Sequence, residues 1–276
     1  ELLPYLENET VPYLNEVLRM ISSLPTFYPA VATLVDEELF VAEKKLIQSI
    51  PFTDRAAITR AITQFFQSIE GNMAQTFGLE ILKWGLCSFD LYRASFAMIC
   101  YRGNLTDTST LLIGIISRSL WNAFDAIAYL YNEYKEESTL TMYVRYISEC
   151  YKTLEAISLD LIEQGTIGSH QNLLWLAIEG LNCNVSCVSP IFDHALSLLS
   201  VLLYPELFDY INGKSEYTTL HYPQSMFTKY HQPWGDTFKG CMKAIFEYHC
   251  PQPNISKMIS VINKIVQTCC PCMFSL

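Results

Sequence analysis

Apolar residues recur along this chain at the spacing of an α-helix, and the alternation of apolar and polar residues that marks strands is scarce. Near the start, positions i, i+3, i+7 and i+10 of one helix face are held by Val11, Leu14, Leu18 and Ile21. An apolar stripe of this kind leaves water only when another element covers it. The spacing therefore predicts an all-α protein in which helices pack on helices.

Capping residues and glycines divide the pattern into successive helices. Thr53 is placed as the N-cap of one helix and Gly71 as the glycine that ends it, while Gly165 and Gly168 close a long later helix. The predicted helices cover residues 11–21, 53–71, 73–87, 90–101, 106–116, 121–134, 140–164, 170–181, 190–203, 206–211, 234–249 and 255–268.

Pairs of these helices recur about every 35 to 45 residues, which is the range of HEAT and armadillo units. This spacing predicts a HEAT/armadillo-like helical repeat array over residues 1–276, with a compact helical bundle as the alternative. A sub-boundary is expected near 165–170, and residues 212–233 form an irregular connector. Because the chain opens without Met, we expect it to be a fragment of a much larger protein.

The charge and the length of the apolar runs argue against nucleic-acid binding and against a membrane span. The formal net charge is −10, whereas nucleic-acid grooves neutralise phosphates with clustered Lys and Arg. The longest apolar run, residues 191–204, is interrupted by Asp193 and His194 and falls short of the roughly 18 residues that a membrane span needs. We therefore expect no nucleic-acid partner and no membrane span.

The cysteines are the candidates for metal or redox chemistry. The chain ends with a Cys-x-x-Cys, and other Cys and His residues that could supplement it are few; the set is Cys269, Cys270, Cys272, Cys183, Cys187, His249 and Cys250. A zinc site needs about four ligands at finger-like spacing, and a redox dithiol needs a strand–helix setting. Neither condition is met, so we expect no metal and no cofactor.

Four other cysteines lie inside apolar helical runs. There a thiol behaves as a small buried hydrophobe, and this is the role expected for Cys87, Cys100, Cys150 and Cys241. The sequence carries no visible secretory leader, so this cysteine usage favours the reducing cytoplasm.

No catalytic motif emerges from the sequence. It has no Gly-rich phosphate loop, no Gly-x-Ser-x-Gly elbow and no His-Glu-x-x-His pair. His194 follows Asp193 directly, but adjacent helix positions do not face each other. The acidic residues 36–38 and 136–137 fall at helix starts or turns, where they favour the macrodipole. We expect the protein not to be an enzyme, and no catalytic, cofactor-binding or metal residue is assigned.

Four segments occur in an order that matches a known family. They are Ala74-Gln75-Thr76 with Glu80 to Ser88, Tyr92 to Arg102, Ser148 to Ala156, and Leu174 to Ala177 followed by Ala195 to Leu199. This stretch, about residues 40 to 205, resembles the C-terminal region of Furry-type cell-morphogenesis proteins. It departs from that family at 87–90, where the usual turn is missing, and at Gly85, which replaces an Ala and weakens the helix by up to about 1 kcal/mol.

The resemblance implies a non-enzymatic scaffold in cell polarity and polarised growth, with an NDR-type kinase and a Mob coactivator as partners. It also implies a location in the cytoplasm, including the cell cortex or cytoskeleton. No partner-binding residue can be transferred, because the matching positions are packing positions. Two other hypotheses stay open: a regulatory or adaptor segment of another giant HEAT-repeat protein (GTPase-activating or transport adaptor), and a metal or redox protein that uses the Cys-rich tail.

Overall fold

The computed structural model describes residues 55–69, 71–105, 110–133, 137–170, 172–181, 189–203 and 255–269. In these ranges the chain forms eight α-helices and one 3₁₀ turn, without a strand. The helices are α1 (Arg55–Ile69), α2 (Gly71–Cys87), α3 (Leu91–Arg102), α4 (Thr110–Glu133), α5 (Glu137–Glu163), α6 (Asn172–Leu181), α7 (Ser189–Leu202) and α8 (Ile255–Cys269), and the 3₁₀ turn is Ile167–Ser169. The predicted all-α class is confirmed.

Several predictions fall outside the described residues. They are the helices at 11–21, 206–211 and 234–249, the N-cap Thr53 and the connector at 212–233. Within the described ranges the chain divides into two compact units, one ending at Ser119 and the other beginning at Leu120. This division falls inside α4, and residues 165–170 lie within the second unit.

The first unit is built on the mutual packing of α1, α2 and α3. Ile62 from α1, Leu82 from α2 and Phe96 from α3 are buried there. Gly71, predicted to end the first of these helices, is instead the first residue of α2. After α3, the side-chain amide of Asn104 donates a hydrogen bond to the carbonyl oxygen of Ala74 at 3.2 Å, which fixes the end of α3 to α2.

Gly85 marks the closest approach of α2 to α3. A Cβ added at this position would lie 2.8 Å from Met98 Sδ and 3.3 Å from Met98 Cγ. Because Met98 is itself fully buried, a methyl group at position 85 would meet a side chain with little space to move. The glycine that weakens α2 as an isolated helix therefore permits its packing against α3.

The two helices predicted at 106–116 and 121–134 are one continuous helix, α4. No Gly or Pro interrupts residues 115–133, so nothing in the local sequence stops the helix. Not all of its apolar residues face the core, because Leu112 and Ile116 are buried whereas Leu111 is 74% and Ile115 43% exposed.

The core of the second unit is built around α7, which packs on both α5 and α6. The Tyr151 hydroxyl on α5 donates to the carbonyl oxygen of Leu176 on α6 at 2.7 Å. Gly180, also on α6, lies so close to its neighbours that an added Cβ would be 2.5 Å from Tyr151 Oη and 2.6 Å from the Cβ of Ala195 on α7. The packing of these helices therefore requires a glycine at position 180.

The C-terminal end of α5 has the predicted glycine. Gly165 has φ +68°, and its N–H donates to the Ile162 carbonyl at 3.0 Å while the N–H of Thr166 donates to the Leu161 carbonyl at 2.9 Å. This pair of bonds is the Schellman motif, which favours glycine at the left-handed position. Gly168 lies in the following 3₁₀ turn. At its other end α5 begins at Glu137 and not at residue 140.

Candidate functional site

The turn between α2 and α3 carries Phe89, the most exposed large hydrophobic residue of the described ranges. Asp90 is the N-cap of α3, because its Oδ1 accepts hydrogen bonds from the backbone N–H of Tyr92 at 3.0 Å and of Arg93 at 3.3 Å. The Ser88 hydroxyl oxygen accepts a hydrogen bond from the backbone N–H of Asp90 at 3.2 Å. These bonds fix a short turn whose central residue is Phe89.

Phe89 is fully exposed at this turn. Beside it lies an open groove of about 460 Å³ lined by Lys83, Trp84, Cys87, Ser88, Phe89, Asp90 and Arg93. We call this set the α2–α3 groove. Its lining includes two aromatic side chains, Phe89 and the only partly buried Trp84, together with the charged residues Lys83, Asp90 and Arg93.

The charges of the α2–α3 groove are arranged as pairs along the helix surfaces. Lys83 forms an ion pair with Glu80, and Arg93 Nε lies 3.2 Å from Asp90 Oδ2. All four side chains are well exposed, so each pair contributes little to stability. The groove therefore combines aromatic with charged side chains, residue types that are found together at protein interfaces.

Cys87 corrects one prediction about the cysteines. Cys100 and Cys150 are buried as expected, but Cys87 is exposed in the α2–α3 groove. It is the last residue of α2 and lies beyond the buried face of that helix. Cys241 lies outside the described residues.

Substitution of Asp90 tests whether its N-cap hydrogen bonds stabilise the start of α3. Asp90→Ala leaves the first N–H groups of α3 without their acceptor and is expected to lower the free energy of unfolding of the first unit by about 1 kcal/mol. Asp90→Asn keeps a side-chain oxygen at the same position and should retain most of that stability. Urea unfolding followed by circular dichroism measures both variants, and equal losses would contradict the cap assignment.

Most of the Cys and His residues considered for a metal site lie outside the described residues. No group of three or more His, Cys, Asp or Glu residues that could hold a metal ion occurs in the part of the chain that the structure describes. Cys269 is the last residue of α8, whereas the other members of the predicted set lie outside the described residues. Asp193 and His194 are neighbours on α7.

Five buried Ser and Thr hydroxyls bond within their own helix. Each donates to the carbonyl oxygen four residues earlier, at 2.6 to 2.9 Å; they are Thr63, Ser117, Ser148, Thr153 and Ser158. This hydrogen bond gives the buried hydroxyl a partner inside the core. These buried hydroxyls are therefore explained by packing.

The two described histidines both lie in the second unit, and burial lowers the pKa of each. His170 is buried after the 3₁₀ turn, and desolvation holds its pKa below the usual value of 6.5. The pKa of His194 is lowered first by desolvation and next by the positive charge of Lys152. Since the unfolded chain then binds protons more readily, stability present above about pH 6.5 is lost as the pH falls through the folded-state values.

The fold and the groove together define an all-helical protein with an open surface patch. No helix in the described ranges combines the length and the apolar character needed to cross a membrane. Comparison with protein-family models, with curated proteins and with solved structures finds no match for this chain. The resemblance to Furry-type proteins stays a prediction.

Proposed function

We propose that this chain is a non-enzymatic scaffold segment that binds a protein partner through the α2–α3 groove. The observation that carries the proposal is the full exposure of Phe89 beside the partly buried Trp84. Exposing a large aromatic side chain to water is unfavourable, and aromatic residues with a neighbouring Arg are the residue types that dominate binding energy at protein interfaces.

The partner proposed on the resemblance is an NDR-type kinase with its Mob coactivator, in cell morphogenesis and polarised growth. The stretch that resembles Furry-type proteins, about residues 40 to 205, includes the whole α2–α3 groove. Four of its seven lining residues, 87–90, lie where this chain departs from the family pattern. Its binding residues are therefore proposed from geometry and its partner from the resemblance.

The proposal predicts that Phe89→Ser weakens partner binding while the fold is kept. Loss of an interface aromatic costs about 2 kcal/mol or more, so the affinity for the kinase–Mob pair should fall about 30-fold. The measurement is titration of the purified kinase–Mob pair against wild type and variant. Leu111→Ser is the matched control, because Leu111 is another exposed apolar residue of the first unit.

Each outcome decides between the hypotheses. Equal affinity of wild type and Phe89→Ser removes the groove from the proposal, and no binding of kinase or Mob removes the Furry-type partners. Binding of a small GTPase instead supports the regulatory segment of another HEAT-repeat protein. Zinc at one equivalent per chain in purified protein supports the metal hypothesis, and less than about 0.1 equivalent removes it.

A further inference from the structure

We draw no further inference here: the strongest candidate, the exposed apolar surface that Leu111 and Ile115 form at the start of α4, carries nothing because no observation in the described part of the chain shows what covers it.

Discussion

Gly180→Ala is expected to lower the free energy of unfolding of the second unit by about 2–4 kcal/mol. The added methyl group has no room, since its position is 2.5 Å from Tyr151 Oη and 2.6 Å from Ala195 Cβ. Overpacking of a core costs about 1–3 kcal/mol. Displacing Tyr151 also weakens its 2.7 Å hydrogen bond to the Leu176 carbonyl, which adds about 1 kcal/mol. Urea unfolding followed by circular dichroism measures the loss.

Two variants serve as controls for this expectation. At Gly114 on α4 an added Cβ meets nothing within 4 Å, so Gly114→Ala should be neutral or stabilise by up to about 1 kcal/mol through helix propensity. The double variant Gly180→Ala/Ala195→Gly moves one methyl group from α7 to α6. Its loss should be smaller than the sum of the two single losses, and full additivity would argue against the close contact of these helices.

Phe96→Ala is expected to destabilise the first unit by about 3–5 kcal/mol. The side chain on α3 is 0% exposed, and its removal combines the lost transfer free energy with the cost of a cavity. Phe89→Ala is the matched control, because the same substitution at a fully exposed position should change stability by no more than about 0.5 kcal/mol. Thermal and urea unfolding measure both variants.

Trp84→Ala should cost less than Phe96→Ala. From the sequence, a loss of about 3–5 kcal/mol is predicted for either substitution if the aromatic residue is buried. The indole of Trp84, however, lines the open α2–α3 groove and is partly exposed. Because part of the Trp84 side chain is already in water, its truncation should cost less free energy of unfolding. A larger loss for Trp84→Ala, or melting curves unchanged by either substitution, would contradict these burial assignments.

Local signals predicted the helices whose ends are determined locally. Gly165 was predicted to end α5 and does so, whereas Asp90, predicted as the first residue of a helix, is its N-cap. The continuity of α4 was missed because helix length depends on what packs along it. The role of Gly85 was missed for a similar reason: the space it leaves is filled by Met98, thirteen residues later and on another helix.

The candidate site was less predictable than the fold. A hydrophobic residue directly before an N-cap commonly packs on the fourth helical residue, which would place Phe89 against Ala94. Phe89 is instead fully exposed while Ala94 is buried among other contacts. The departure of residues 87–90 from the family pattern was the available signal for this turn. Its exposure depends on the approach of α2 to α3, which local sequence does not encode.

The buried amide of Asn104 has a consequence for covalent modification. Asn104-Leu105-Thr106 is an acceptor pattern for N-linked glycans. In the folded first unit this nitrogen is directed to the Ala74 carbonyl, and the residue is only 2% exposed. An oligosaccharide attached there would keep the end of α3 away from α2, so sugar transfer to this asparagine and completion of the fold exclude each other.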